Sequence, residues 1–247
     1  MGFEPSANEQ ASDPPPPERI TIALLMLWTT LSAVLLAIDR ATGDYWNGRL
    51  GLFSQIVALF YVPLIGAGAT AVALMLWRFA NDGPSFPSQP GHWLLVIYGI
   101  TSSGVVFLRT FILSNLNMLG LGSWPYVGLA VGTLLVAAGL NYLAMRKFTG
   151  RWRVSFAVGS TGAAIMVLSY LPVIADFRWS LWAYRLEFCI GWLVALTVVA
   201  AVLGDWRAGT KRDGLHAVGV FVKITGLLLS TAIPHVLYWL QQRNWLY

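Results

Sequence analysis

The side chains best suited to chemistry in an apolar setting lie in one stretch, Gly214 to Leu240. His216, Lys223 and Ser230 follow one another at steps of seven, so on a helix they fall within about 40° of one another. A lysine costs about 2.5–3.5 kcal/mol near a bilayer centre, and less where its alkyl stem lets the amine reach the headgroups. Lys223 is therefore either a proton, ion or cofactor site, or a side chain that snorkels to the surface.

A second candidate pair consists of two charged residues in two other apolar stretches. Arg109 stands near the end of one stretch and Glu187 near the start of another, and both ends are expected on the same side of the membrane. The pair is interpreted as a structural ion pair or as an external substrate site. Together with Lys223 it defines one alternative function, a small secondary transporter or channel.

A third set of candidates is a serine and a histidine. Thr101, Ser102, Ser103 and Gly104 resemble the GxSG motif of rhomboid-type intramembrane serine proteases, with Thr101 in place of the first glycine. This four-residue resemblance implies that Ser103 is the nucleophile and that His235, in a later helix, is its base. A rhomboid-like serine hydrolase is thus the second alternative function.

No metal ion or cofactor is predicted. The sequence has no HExxH or CxxCH motif, and its single cysteine, Cys189, excludes a cysteine-based cluster. His92 and His216 both open apolar stretches on one side and can meet, but a bis-histidine site needs two imidazoles at matched depth. No catalytic set is recognisable, so the leading hypothesis is non-enzymatic.

One further resemblance concerns the lysine. The segment Phe221 to Leu229 is loosely similar to the segment of microbial rhodopsins whose lysine binds retinal. Gly219 stands where that family has an aspartate, and residues 92–113 hold no carboxylate to act as counter-ion. An iminium without a counter-ion would be unstable in an apolar interior, so no retinal is predicted.

The elements that must position these side chains are long apolar segments. Of 247 residues, 57% are hydrophobic and 11% are charged, whereas soluble domains carry about 25% charged residues. Lipid offers no water to satisfy backbone amides, so each long apolar run is predicted to be a helix. The sequence predicts an all-α, polytopic transmembrane bundle of about seven spans: 20–38, 52–77, 92–113, 124–145, 154–174, 183–203 and 215–240.

The organisation of the chain around these spans is simple. Residues 1–18 are polar and contain Pro14 to Pro17, which favours a disordered tail. Residues 19–247 form a single transmembrane domain. Small residues predict seams where helices pack closely, at Gly66 and Gly68, at Gly159 and Gly162, and in the GxxxG of Gly128 and Gly132.

Charge predicts the orientation and the partners. Nine Lys and Arg residues flank the spans on the N-terminal side and five on the opposite side, which places the N-terminus in the cytoplasm of a multi-pass inner-membrane protein. The net charge of +5 favours anionic headgroups, not nucleic acid, as the partner of the basic loops. The leading function is a lipid- or partner-binding membrane component, and a second membrane protein is another possible partner.

The orientation is testable with single cysteines in a Cys189→Ser background. A cysteine added after Tyr247 should react with a membrane-impermeant maleimide in intact spheroplasts, because the seven-span topology places the C-terminus outside. Ala208→Cys, in a predicted cytoplasmic loop, is the matched control and should react only after lysis. The reverse pattern of labelling would contradict the predicted orientation.

Overall fold

The computed structural model describes residues 21–42, 51–81, 86–108, 124–175 and 180–242, with side chains given over slightly narrower ranges. The predicted N-terminal tail lies outside these residues. The described part folds into seven helices and contains no strand, which confirms the all-α prediction. The helices are α1 Ile22–Thr42, α2 Gly51–Asn81, α3 Pro90–Leu108, α4 Trp124–Lys147, α5 Gly150–Ala175, α6 Ser180–Arg207 and α7 Gly214–Gln242.

Local chemistry explains where several helices begin and end. Pro90 opens α3, a position where its missing N–H would have had no helical partner. Asp213 precedes α7, and a carboxylate there can accept the orphan amides of the first turn. Gly209 has φ of 64°, and the bonds Gly209 N to Trp206 O and Thr210 N to Asp205 O end α6 in a Schellman motif.

The surface of the bundle is that of a membrane protein. Within the described residues four helical segments are long and apolar enough to cross a bilayer: Leu59–Asn81, Val127–Lys147, Gly150–Ser169 and Arg185–Arg207. Ile22–Ile38 and Gly214–Ser230 are shorter apolar segments. Large apolar side chains point outward, with Ile22 at 78% and Leu59 at 66% exposure, which suits contact with lipid and not with water. The chain is therefore a helical membrane protein.

Helix α3 lies at the centre of the described bundle. Its Leu95 and Val96 join a buried cluster with α2 and α7, whereas its Leu94 and Ile97 join a second cluster with α4, α5 and α6. All four side chains are at most 3% exposed. Because one helix contributes to both clusters, its second turn is fixed from several sides.

Helices α3 and α7 run parallel and in close contact. Gly91 lies against Gly219, and seven residues further along each helix Tyr98 lies against Gly226. Contacts that advance together along both chains show that the two helices start at the same end of the bundle. This agrees with the prediction that the third and seventh apolar stretches begin on the same side.

Glycines mark the close approaches, though not all of the predicted ones. A Cβ on Gly68 would lie 2.6 Å from Gly99 Cα, and one on Gly159 would lie 2.6 Å from Asn141 Oδ1, so both positions are packing seams as predicted. The prediction for Gly128 and Gly132 was wrong, since among the described residues a Cβ there would meet nothing within 4 Å. Glycine spacing indicates a helix face that permits close packing, but it does not predict whether another helix packs there.

The contrast between two helical glycines gives a stability test. Gly68→Ala should destabilise the protein by about 1–3 kcal/mol, because the added methyl group collides with the backbone of α3. Gly139→Ala has open space and should be neutral or slightly stabilising, since alanine favours helix more than glycine does. Thermal unfolding in detergent measures both, and equal melting temperatures would contradict the close crossing of α2 and α3.

Candidate functional site

A buried hydrogen-bond network joins the starts of α3 and α7. Asp213 caps α7, since its Oδ1 accepts the amide of His216 at 2.7 Å. The same oxygen lies 3.0 Å from His92 Nε2, and the two side chains are 1% and 0% exposed respectively. The carboxylate is thus removed from solvent and is compensated by an imidazole and by the amide of a helix N-terminus.

The remaining bonds of the network cross between the two helix starts. His216 Nδ1 accepts the Gly91 amide at 2.9 Å, and Gln89 Oε1 accepts the Asp213 amide at 3.4 Å. A helix leaves its first amides without partners inside the helix. Here side chains of each helix accept amides at the start of the other, so the two starts are held together.

These contacts assign the proton on each imidazole. His92 Nδ1 accepts the Gln89 amide at 3.4 Å, so Nδ1 carries a lone pair and the proton of the neutral ring is on Nε2, facing Asp213. His216 Nδ1 also accepts an amide, so its proton is on Nε2. The buried carboxylate therefore receives a hydrogen bond from His92 and fixes its tautomer.

Aromatic side chains enclose the two imidazoles. Phe86 stacks on His92 with ring centres 4.8 Å apart, and Trp152 meets His216 edge-on at 5.4 Å. Trp152 Nε1 donates to Asp205 Oδ2 at 2.8 Å, and this oxygen also accepts from Arg212 Nε at 2.8 Å. Helices α5 and α6 are thereby fastened to the network that joins α3 and α7.

Ser88 extends the network to the surface. Its side chain is exposed, and its Oγ lies 3.4 Å from His92 Nδ1. A hydroxyl, an imidazole and a carboxylate thus follow one another from the surface to the interior. The other oxygen of the carboxylate, Asp213 Oδ2, is buried and has no hydrogen-bond donor among the described residues.

Sequence reasoning did not find this constellation. His92 was considered only as a metal ligand, and His216 either as a metal ligand or as part of the polar face that contains Lys223. Ser88 and Asp213 were given no role. The signal in the sequence was Asp213 immediately before an apolar helix, a position that favours an N-cap. Within the described part of the chain, no group of three His, Cys, Asp or Glu side chains is arranged to hold a metal ion.

An apolar cavity of about 450 Å³ lies between α1 and α2 at the same end of the bundle. Two polar residues, Thr21 and Arg78, border it, and the rest of the lining is apolar: Ala23, Leu24, Leu27, Ala73, Leu74 and Trp77. The Arg78 guanidinium lies 6.0 Å from the centre of the Phe86 ring, which in turn stacks on His92. The cavity and the buried network are therefore near neighbours.

The residues of the predicted transporter are placed only in part. Lys223 is half-buried in α7, and within the described residues no carboxylate or hydrogen-bond acceptor pairs with its amine. Glu187 is exposed in α6, whereas Arg109 lies outside the described residues. The pairing of Arg109 with Glu187 stays a prediction.

The residues of the predicted rhomboid-like hydrolase are also placed only in part. Ser103 is half-buried in α3, and its Oγ has no hydrogen-bond partner among the described residues. The side chain of His235 lies outside the described residues. The pairing of Ser103 with His235 stays a prediction.

Comparison of the chain with protein families, with curated proteins and with solved structures found no match. The fold and the site therefore define the class of the protein by themselves. It is a helical membrane protein in which a buried carboxylate and two histidines join two parallel helix starts.

The contribution of this network to the free energy of unfolding can be measured by replacing Asp213. Asp213→Ala should destabilise the protein by about 2–4 kcal/mol, because it removes a helix cap and leaves a buried imidazole N–H without its acceptor. Lys211→Ala, at an exposed position in the same loop, is the control and should change stability by less than about 0.5 kcal/mol. Thermal or chemical unfolding in detergent checks both, and equal stabilities would show that the network is dispensable.

Proposed function

We propose that this protein binds an anionic lipid, with an acyl chain in the cavity between α1 and α2 and the phosphate of its headgroup at Arg78. The supporting observation is the lining of that cavity, which is apolar along its length and bordered by a guanidinium and the hydroxyl of Thr21. A volume of about 450 Å³ falls within the range of about 300–1,000 Å³ that is usual for small-molecule sites.

The physical basis of selectivity is the headgroup. Apolar helix surface and lipid tails are similar solvents for an acyl chain, so burial of the chain adds little net free energy inside a bilayer. A guanidinium binds phosphate oxygens through paired, charge-assisted hydrogen bonds, which an uncharged headgroup cannot match. Arg78 is half-buried in the last turn of α2, where we expect the phosphates of the bilayer to lie.

The charge of the surrounding surface supports the same ligand. The described residues at this end of the bundle include two acids, Asp205 and Asp213, both of which are engaged in the network. They also include eight cations: Arg78, Arg146, Lys147, Arg151, Arg153, Arg207, Lys211 and Arg212. Each basic residue near an anionic surface contributes about 1 kcal/mol of attraction. The basic end therefore faces the cytoplasmic leaflet of the inner membrane in this proposal, as the positive-inside rule requires.

The proposal predicts that Arg78→Gln weakens binding of phosphatidylglycerol by about tenfold or more, because hydrogen bonds to a charged group contribute about 1.5–3 kcal/mol. Binding is measured by native mass spectrometry of the full chain released from micelles of graded lipid content. Diacylglycerol, which has no phosphate, should bind the original protein and the variant equally.

Arg153→Gln is the matched control. It removes the same charge from the same end of the bundle, but Arg153 is exposed and does not line the cavity. If both substitutions weaken binding equally, the attraction is that of the general basic surface and the cavity is not the site. If neither changes binding, the proposal fails.

A further inference from the structure

We propose that Ser88, His92 and Asp213 act as a nucleophile, a base and a positioning carboxylate that hydrolyse a carboxylic ester presented at the membrane surface. The three side chains lie in series, with Ser88 Oγ 3.4 Å from His92 Nδ1 and His92 Nε2 3.0 Å from Asp213 Oδ1. A serine is activated by a base within hydrogen-bond reach, and the base is oriented by a third group. Resting distances at such sites are often somewhat long.

The exposure of the three side chains suits ester hydrolysis, because the nucleophile is accessible while the base and the carboxylate are buried. Ser88 is exposed, so a substrate can reach its hydroxyl, whereas His92 is 0% exposed and Asp213 has a side chain that is 1% exposed. Asp213 binds the Nε2 proton of His92 and leaves the lone pair on Nδ1, which is the nitrogen that faces Ser88. A carboxylate that is shielded from water also stabilises the imidazolium that forms when His92 accepts a proton.

Capping of α3 does not by itself explain why the Ser88 hydroxyl lies beside His92 Nδ1. The N-cap of α3 is Gln89, whose carbonyl accepts the Trp93 amide, and Ser88 stands one residue before it. The Gln89 amide shares His92 Nδ1 with the hydroxyl, at 3.4 Å, and this long contact is lost when Nδ1 is protonated. The hydroxyl is therefore additional to the cap and is placed where a nucleophile would be.

The reaction balances with water as the second substrate. Ser88 Oγ attacks the ester carbonyl carbon as its proton passes to His92 Nδ1. The bond from that carbon to the alcohol oxygen breaks, and the alcohol leaves with the proton from Nδ1. Water then attacks the acyl-serine and gives a proton to Nδ1, from which it returns to Ser88 Oγ as the carboxylic acid departs. Negative charge on the carbonyl oxygen develops near the positive end of the α3 dipole.

The experiment uses the full chain in detergent micelles with a fluorescent fluorophosphonate and with p-nitrophenyl butyrate. The original protein should be labelled and should hydrolyse the ester, and Ser88→Ala should abolish labelling and lower kcat at least 10³-fold. Ser230→Ala is the matched control, since Ser230 is an exposed serine in α7 that bonds the carbonyl of its own helix. It should retain labelling and activity.

A second variant separates positioning from stability. Asp213→Asn keeps an oxygen that can cap α7 but removes the charge, so kcat should fall about 10³–10⁴-fold with KM and melting temperature little changed. Three results would overturn the proposal: absence of labelling in the original protein, labelling that survives in Ser88→Ala, or labelling that is lost in Ser103→Ala instead. Because these assays use no anionic lipid, their outcome is independent of the lipid site at Arg78.

Discussion

Two helix N-termini meet in an apolar environment in this protein, and the rest of the described bundle is arranged around the need to satisfy them. Each brings unpaired amides and the positive end of a helix dipole, and two such ends side by side repel each other. Asp213 supplies the negative charge between them, and His92 and His216 complete the hydrogen bonds. Without these side chains the parallel contact of α3 with α7 would leave donors buried in the protein without acceptors, which costs free energy.

The same constraint makes α3 the reference helix for both proposed activities. Its first turn is fixed by α7, and its second turn packs into two separate clusters. Phe86, just before the helix, contacts Arg78 at the end of α2. The lipid cavity and the Ser88 series are therefore linked through Phe86, which contacts both Arg78 and His92. His92 and Asp213 are buried at well-packed helix starts, which hold side-chain geometry more closely than loops do.

The sequence was informative about the helices and less so about their neighbours. A long apolar run in lipid must satisfy its own backbone hydrogen bonds, which a helix does. Predicted runs such as 154–174 accordingly overlap their observed helices closely. The seam at Gly68 was also predicted correctly. Pairings across the chain were not accessible, because His92 and Asp213 are 121 residues apart and nothing local marks them as partners. The error at Gly128 has the same origin, since a glycine row does not reveal whether another helix covers it.

The separation of the two helix starts along the chain has a consequence for biosynthesis. A ribosome adds about 5–20 residues per second, so the 121 residues between His92 and Asp213 take about 6–24 s to appear. During that interval the nascent α3 enters the translocation machinery with neither its carboxylate nor its parallel neighbour. The hydrogen bonds of His92 and of the Gly91 amide to α7 therefore form only after the last helix has been made.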